Sequence, residues 1–440
     1  MQTNSVQQHR TAIFWFRRDL RLEDNAGLYN SLKQFDTVIP LFIFDRQILD
    51  LLENKEDKRV SMIYLMLQKI NTELGKSGSS VLIKYGQVVN IFEDLLSQYQ
   101  IDAVFCNRDY EPETVSRDKQ VEQLLHQRGV AFETFRDQVI FESQDILKED
   151  GKPYTVFTPY SKKWKHKLHP KDYQCFPSEK LISKCIRVRF EMPELSVTGF
   201  KLSLKSIPEP VIDFAIIRHY DQTRNFPANT QGTSSLSIHL RFGTVSIRRL
   251  VAIAIQENGI WLNELIWREF FKSILLHYPE VTRHSFRKQY EMIAWRNNEA
   301  DFERWRSGTT GFALVDAGMR ELSSTGLMHN RVRMLTAGFL TKHLLIDWRW
   351  GEAWFASLLL DYDLSANNGN WQWAAGCGCD AAPYFRVFNP DEQTRKFDPE
   401  LVYVRRWVPE HDTPNYPEKM IDHTFARKRA LAAYQKALKE

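Results

Sequence analysis

Cysteine is scarce in this chain of 440 residues, which contains only five. An odd number of cysteines without regular spacing argues against a disulfide framework and favours a reducing compartment. Cys377 and Cys379 lack a second Cys/His pair at ligand distance. We therefore expect two small buried thiols there and no metal site.

Long apolar runs are missing too. No window of about eighteen apolar residues occurs, which excludes a membrane span. The polar stretch from Met1 to Arg10 has no apolar signal region. Neither Gly-x-Gly-x-x-Gly nor a Walker sequence is present, so a dinucleotide fingerprint and a P-loop both lose support. These absences predict a soluble, cytoplasmic protein.

An excess of one charge is absent as well. The chain has 59 Lys and Arg against 55 Asp and Glu, which gives a net charge of +4. This balance permits a local basic patch for nucleic acid without requiring one. The length favours two or three domains.

Strand-length apolar runs alternate with helix-length segments between residues 11 and 140. The runs are Ala12–Phe16, Val38–Phe44, Val81–Tyr85, Ala103–Cys106 and Ala131–Phe135, and the segments between them include Arg59–Leu74, Val88–Tyr99 and Glu113–Gln127. Such alternation predicts an α/β domain, in which a parallel sheet is covered by helices on both faces.

The regular pattern fades over residues 141–207, which we interpret as an interdomain connector punctuated by prolines. Its lysines favour a solvated charge run over a nucleic-acid contact. Helical periodicity dominates residues 208–440 and predicts an all-α second domain. The predicted helices include Trp261–Leu276, Glu291–Arg306, Ala313–Ser324, Asn330–Leu345, Gly351–Leu360 and Ala426–Leu438.

The most informative segment runs from Asp361 to Trp373 and continues to an aromatic turn at 381–390. It places two carboxylates, two adjacent amides and two tryptophans within thirteen residues. A solvated loop does not need the aromatic rings, and a plain core helix does not tolerate the acids and amides. The mixture suits a buried polar pocket around a large planar ligand.

This segment strongly resembles the flavin-binding signature of the DNA photolyase/cryptochrome family. The resemblance covers roughly residues 11–410 and implies a photolyase-like fold with a helical domain that binds flavin adenine dinucleotide (FAD). A Ser/Thr-rich turn ahead of a helix also suits a pyrophosphate. By resemblance, the FAD contacts are Tyr220, Thr233, Ser234, Ser235, Leu236, Ser237, Trp261, Glu264, Arg268, Asn330, Arg333, Asp361, Asp363 and Asn367.

Three further segments point to a substrate pocket. Glu264, Trp267 and Arg268 fall at i, i+3 and i+4, so one helix face presents a carboxylate, an indole and a guanidinium. The resemblance assigns Glu264 and Trp267 to the lesion. It makes Asn330 and Met334 pocket residues of the enzymes that repair cyclobutane pyrimidine dimers, pairs Arg333 with Asp361, and makes Trp373 a lesion-stacking ring.

Asn367 occupies the position that faces the flavin N5, where an amide is compatible with a fully reduced flavin. The resemblance further implies that Trp295, Trp348 and Trp371 carry an electron from the surface to the photoexcited flavin. Their spacing alone would indicate only core packing.

An antenna site is expected after the fourth strand, where α/β domains tend to bind ligands. Asn107 and Glu111 resemble the contacts of a methenyltetrahydrofolate antenna, with deazaflavin or a second flavin such as FMN as alternatives. Arg331, Arg386, Arg395 and Lys396 flank the pocket in sequence and are candidates for DNA phosphates. Trp267 and Trp373 are the aromatic DNA contacts.

Several functions stay open at this point. The first is light-driven repair of cyclobutane pyrimidine dimers by a monomer that extrudes the lesion from DNA. The second is a cryptochrome photoreceptor, which often carries a longer C-terminal extension than the short one here. A (6-4) photolyase is disfavoured because Asn330 and Met334 stand where histidines are expected. A flavoprotein of unrelated chemistry is the fourth.

Overall fold

Five parallel strands form one sheet in the computed structural model, which describes residues 10–439. They are β1 (Thr11–Phe16), β2 (Thr37–Asp45), β3 (Leu82–Gly86), β4 (Ala103–Asn107) and β5 (Ala131–Phe135), in the order β3-β2-β1-β4-β5. Each predicted apolar run is a strand, shifted by at most one residue at either end. The parallel arrangement is therefore confirmed.

Helices cover both faces of this sheet, because successive side chains of a strand point to opposite sides. The helices are α1 (Ala26–Gln34), α2 (Arg46–Leu49), α3 (Lys58–Gly75), α4 (Val88–Gln98) and α5 (Pro112–Gln127). On one face Trp15 of β1 meets Phe92 of α4 edge-on at 5.2 Å. On the other face Phe105 of β4 meets Phe35, which follows α1, at 5.5 Å.

The other regular elements among residues 10–439 are helices. The helices are α6 (Phe157–Lys167), α7 (Phe214–Arg218), α8 (Tyr220–Thr223), α9 (Ser237–Phe242), α10 (Ile247–Glu257), α11 (Gly259–His277), α12 (Glu299–Arg306), α13 (Ala313–Thr325), α14 (Asn330–Gly338), α15 (Trp348–Leu358), α16 (Leu364–Ala375), α17 (Pro390–Phe397), α18 (Val402–Trp407) and α19 (His423–Ala437). Short 3₁₀ helices lie at Pro170–Tyr173, Ser178–Lys180, Ile182–Lys184, Leu195–Thr198, Pro279–Thr282 and Lys288–Met292, and a π-helical turn lies at Phe339–His343. No helix among residues 10–439 is both long and apolar enough to cross a membrane.

Two compact units divide the chain differently from the three predicted segments. The first contains residues up to 142, 168–211 and 239–253, and the second contains residues 143–167, 212–238 and those from 254 onward. The predicted connector 141–207 is thus shared between the units. Proximity in space decides this division, and proximity cannot be read from composition. The boundaries at 140 and 207 stay predictions.

The predicted helix Glu291–Arg306 is wrong in its first half. The helical segment begins only at α12, because the side chain of Asn298 caps it by accepting a hydrogen bond from the backbone N–H of Asp301 at 2.8 Å. Asn297 just before it has a φ of 44°, which a continuing helix does not allow. The predicted helix Asn330–Leu345 also changes character, since α14 passes into the π-helical turn.

Candidate functional site

Helix α16 carries the most informative sequence segment, and both of its ends are fixed. Asp363 caps its N-terminus by accepting from the backbone N–H of Ala366, and it also pairs with the ammonium of Lys272 at 2.9 Å. Gly376 ends the helix in a left-handed conformation with φ 86°. These anchors set the direction in which every side chain of α16 points.

A cavity of about 100 Å³ opens beside α16. Its walls combine carboxylates, amides, a guanidinium, a thioether and indole rings. The lining residues are Asn330, Arg333, Met334, Ala337, Phe355, Leu359, Asp361, Tyr362, Asp363, Ala366, Asn367, Asn370, Trp371, Trp373 and Ala374. Eight of the residues proposed from the sequence therefore line one cavity.

Arg333 and Asp361 form the predicted ion pair. The guanidinium Nη2 of Arg333 donates to both carboxylate oxygens of Asp361, at 2.9 and 3.1 Å, and its Nε donates to the carbonyl of Met328. The Asp361 carboxylate is nearly buried, with 4% of its side chain exposed. A charge-assisted pair with two hydrogen bonds holds both groups rigidly at the cavity wall.

Asn367 is oriented by a carboxyl group that the sequence did not reveal. Its amide nitrogen donates to the Oε1 of Glu352 at 2.8 Å and to the backbone carbonyl of the same residue at 3.1 Å. Burial raises the pKa of Glu352 above its ordinary value, against a lowering from the hydrogen bond with Asn367. Because the N–H groups point to Glu352, the amide oxygen of Asn367 is left for the cavity.

His329 begins the helix that carries Asn330 and Met334. Its Nδ1 accepts from the backbone N–H of Arg331 at 3.2 Å and so caps α14. Burial, together with nearby Arg331, Arg333 and Arg224, lowers the pKa of His329 to about 4. The ring is therefore neutral at pH 7 and serves the backbone of its own helix.

Helix α11 contributes an acid and an indole whose surroundings differ. The carboxylate of Glu264 pairs with Arg224 at 2.5 Å, and that guanidinium also lies over the ring of Tyr220 at 5.0 Å. Burial raises the pKa of Tyr220 to about 12. Half-buried Trp267 stacks on Phe157 of α6, with ring centres 3.7 Å apart. One face of Trp267 is thus held by the protein.

The segment Thr233–Ser237 leads into α9. Leu236 is buried and anchors it, while Ser235 has a φ of 51°, which places the chain in a tight turn. Within residues 10–439, the hydroxyls of Thr233, Ser234, Ser235 and Ser237 make no side-chain hydrogen bond to protein. They are partly exposed or exposed and so remain available to an anion.

The three tryptophans proposed as an electron relay share one hydrophobic region. Trp348 and Trp371 belong to its buried core, with 1% and 2% exposure, and half-buried Trp295 packs against it. Trp371 also lines the cavity, whereas Trp295 meets Tyr434 edge-on at 6.0 Å. One member of this set thus lines the cavity and another is partly exposed, and the relay itself stays a prediction.

The four predicted phosphate ligands do not share one environment. Arg331 is half-buried, donates to the side chain of Asn225 and lies over the ring of Phe397 at 4.4 Å. Burial, with Arg224 and Arg386 close by, lowers the pKa of Arg331. Arg386, Arg395 and Lys396 are exposed. Arg224, Arg331 and Arg386 thus form a cationic cluster that favours an anion.

The two predicted antenna contacts, Asn107 and Glu111, both have partners within the protein. Asn107 is buried, and its amide donates to Asp19 at 2.5 Å and to Asn25 at 2.8 Å while accepting from the backbone of Gly27. These bonds tie the end of β4 to the start of α1, and the antenna role of Asn107 stays a prediction. Glu111 accepts from Arg18 at 2.6 Å and stays a predicted contact.

Trp261 and Arg268 complete the predicted set on α11. Trp261 is 3% exposed and lies in the first turn of the helix, where its backbone N–H donates to the cap Asn258 at 3.1 Å, and Arg268 is half-buried. Neither lines the cavity described above. The sequence reasoning overlooked Arg224, Glu352 and Phe157. Arg224 follows Tyr220 by four residues, a helical spacing that signals a pair, but the others carry no local signal.

A parallel α/β unit and a helical unit with an acid- and amide-lined aromatic cavity define a protein that binds a large planar cofactor. Comparison with known proteins identifies the class. Residues 12–178 match the family model of DNA photolyase, and residues 261–414 match that of the FAD binding domain of DNA photolyase.

A deoxyribodipyrimidine photo-lyase of Synechococcus is 36% identical, with 96% of each chain covered. The solved structure of a bacterial class III photolyase from Agrobacterium tumefaciens superposes with a TM-score of 0.87 at 32% identity, over 100% of both chains. An archaeal photolyase from Sulfolobus tokodaii, described with two FAD molecules, gives 0.81 at 33% identity, covering 97% of this chain and 100% of the other. The chain therefore belongs to the DNA photolyase family.

The residues of the helical unit fit FAD, which the family's binding domain accepts. The cavity offers the amide oxygen of Asn367, the carboxylates of Asp361 and Asp363, and indole rings, which suit a polar planar ring. Thr233, Ser234, Ser235 and Ser237 add unengaged hydroxyls suited to phosphates. The predicted cofactor is thus supported by the donor set of this chain.

Proposed function

We propose that this protein repairs cyclobutane pyrimidine dimers in DNA in a light-dependent reaction. One observation carries the proposal: Asn330, Met334 and Trp373 line the same cavity as Asp361 and Asn367. Three of the five residues assigned to the lesion therefore share one space with residues assigned to the flavin ring, whereas Glu264 and Trp267 do not line this cavity. Reduced FAD, when bound, would supply the absorption of blue or near-UV light and the electron that splits the dimer.

The chain's own residues have distinct parts in this reaction. Asn367 orients the flavin ring through its amide oxygen, because Glu352 fixes the direction of the amide. Arg333 and Asp361 hold a rigid charged wall beside it. Trp295, Trp348 and Trp371 serve as the electron relay, and Tyr220, Trp261, Arg268, Asp363 and the segment Thr233–Ser237 complete the cofactor contacts.

The lesion lies between aromatic and polar groups. Trp267, supported on one face by Phe157, and half-buried Trp373 offer flat surfaces to the linked bases. Glu264, held by Arg224 at 2.5 Å, offers a carboxylate oxygen to a thymine N–H. Asn330 and Met334 complete the pocket with an amide and a thioether, which suffice because ring splitting needs no net proton transfer.

DNA is held through its phosphates. Arg331 and Arg386 belong to the cationic cluster with Arg224, and Arg395 and Lys396 are exposed on α17. Neutralising phosphates with such cations releases counterions, so binding should weaken as salt rises. A dimer is already poorly stacked, which lowers the cost of extruding it into the cavity.

Two related functions compete with this one. A (6-4) photolyase needs imidazoles at the pocket, whereas Asn330 and Met334 line it here and the Nδ1 of His329 caps its own helix. A cryptochrome photoreceptor would not require the lesion-side set of Glu264, Trp267 and Trp373. We further propose that the enzyme works as a monomer in the cytoplasm, where its five unpaired cysteines stay reduced.

The decisive experiment is repair of an oligonucleotide with one thymine dimer by purified, FAD-loaded and reduced protein. Restoration of the thymines in light and not in darkness supports the proposal. An oligonucleotide with a (6-4) lesion serves as the matched substrate control. Repair of the (6-4) lesion alone, or intact dimers after illumination of a fully reduced protein, would refute it.

A further inference from the structure

Trp371 makes a ring contact with a tryptophan that does not belong to the relay proposed above. Its ring lies edge-on to Trp305, with ring centres 6.1 Å apart and an interplanar angle of 73°. Phe355 touches both rings, at 4.9 Å from Trp371 and 6.0 Å from Trp305. Trp305 is fully buried. An electron that reduces oxidised Trp371 can therefore come from Trp305 across direct ring contact.

The surroundings of Trp305 favour a positive charge on its ring. Its indole N–H donates to the carbonyl of Thr336 at 3.0 Å. A carbonyl dipole aimed at a donor stabilises the oxidised, more acidic indole more than the neutral one. Trp305 is thus suited to hold the positive charge that remains when its ring loses an electron within the core.

Trp348, the corresponding member of the proposed relay, lacks this support. Its buried indole nitrogen has no hydrogen-bond partner within residues 10–439. The guanidinium of Arg349 lies 4.8 Å from its ring centre, which opposes a positive charge there. Arg349 pairs with Glu291 and Asp347, which partly offset its positive charge. The indole N–H of Trp305 still has a hydrogen-bond acceptor, whereas that of Trp348 has none among residues 10–439.

A path from Trp305 continues toward solvent. Phe302 stacks on Trp305 at 5.6 Å and 23°, and Trp350 meets Phe302 edge-on at 5.3 Å. Trp350 is half-buried, which gives an external reductant access to it. A phenyl ring is much harder to oxidise than an indole. Phe302 therefore bridges the two tryptophans without holding the positive charge itself.

We propose that Trp305 and Trp350 form a second electron-entry route to Trp371, in addition to Trp348 and Trp295. The inference rests on the proposed function, since it takes Trp371 as the donor to the photoexcited flavin. Trp371 gives up one electron, Trp305 replaces it and becomes oxidised, and Trp350 replaces that electron in turn. Oxidised Trp350 releases its indole proton to water and regains an electron and a proton from an added thiol, which ends as a disulfide.

The test compares light-driven flavin reduction, with a thiol as reductant, across single and double variants. Trp348→Phe should keep a measurable part of the wild-type rate, whereas Trp348→Phe with Trp305→Phe should lose at least a further factor of about ten, equivalent to about 1.4 kcal/mol in the barrier. A double variant no slower than Trp348→Phe alone would overturn the route. A Trp348→Phe protein as slow as Trp371→Phe would do the same.

A spectroscopic measurement locates the oxidised residue independently of the rate. In a Trp348→Phe background, Trp350→Tyr should yield a tyrosyl radical by electron paramagnetic resonance after a light pulse. Absence of that radical while flavin reduction persists would overturn the assignment of Trp350. Should Trp305→Phe fail to fold, Trp350→Phe replaces it in the double variant, because Trp350 is only half-buried.

Failure of this route and failure of the proposed function give different results. Repair by chemically pre-reduced wild-type protein does not need electron entry through any tryptophan. Loss of repair there counts against the proposed function alone. Intact repair with no effect of Trp305 or Trp350 on flavin reduction counts against the second route alone.

Discussion

The buried pair of Lys272 and Asp363 offers a quantitative test of how α16 is held. Only 2% of the Lys272 side chain and 9% of the Asp363 side chain are exposed, and Nζ lies 2.9 Å from the carboxylate. Removing one member of such a pair leaves a buried charge without its partner and costs about 3–5 kcal/mol. Lys272→Met keeps the length and volume of the side chain while deleting the charge.

We therefore expect Lys272→Met to lower the free energy of unfolding of the helical unit by about 3 kcal/mol. Because Asp363 both caps α16 and lines the cavity, FAD affinity should fall as well. Urea unfolding of flavin-free protein, followed by tryptophan fluorescence, measures the first effect. Titration with FAD measures the second.

A double-mutant cycle separates the ion pair from packing. Asp363→Asn retains an oxygen for the helix cap but loses the charge, and joined with Lys272→Met it should cost less than the sum of the two single changes, by about 0.5–3 kcal/mol. Lys428→Met, at an exposed position of α19, is the matched control, with a change within about 0.5 kcal/mol. Additive single changes, or a loss below about 1 kcal/mol for Lys272→Met, would refute the reasoning.

Three further predictions follow from the same contacts. Asn367→Asp sets a second carboxyl beside Glu352, one of the two must stay protonated, and unfolding titrations should show greater destabilisation at pH 8 than at pH 5. The pKa of His329 is about 4 in the folded state and near 6.5 in the unfolded chain, so the free energy of unfolding should fall as the pH drops from about 6.5 to about 4. His329→Asn can still cap α14 and should flatten this part of the pH dependence, as measured by urea unfolding. Arg331→Ala and Arg386→Ala should each reduce the slope of log affinity for dimer DNA against log salt by about one, and an unchanged slope would remove that residue from the phosphate contacts.

The sheet was predictable because parallel strands buried on both faces are nearly continuous apolar runs. Its five strands therefore differ from the predicted runs by a single residue at most. The error at Glu291–Arg306 has a different origin. Apolar periodicity continues through that segment, but the side chain of Asn298 caps the N-terminus of α12 and so starts the helix there. Periodicity does not register such caps.

Part of the site was also predictable from the sequence. Arg333 and Asp361 were paired by family resemblance, and the structure joins them. Glu352 and Asn367 lie 15 positions apart, and Lys272 and Asp363 lie 91 apart, so no local spacing links them. Such partners are brought together when helices pack against one another. A single sequence indicates which residues are buried but not which helices become neighbours. The partners of Asn107 were not predictable for the same reason, since they come from the loop after β1.

Helix packing also fixes the orientation of the segment from Asp361 to Trp373, which carries many of the proposed site residues. Gly369 of α16 lies against the ring of Phe271 on α11, and Gly351 of α15 lies against Trp371, with no room for a Cβ at either glycine. The helix therefore sits at a fixed depth between its neighbours and cannot rotate. These two close contacts help to fix how Asn367 and Trp373 lie in the cavity wall. Enlarging either glycine should misplace the pocket without altering any residue that touches a ligand.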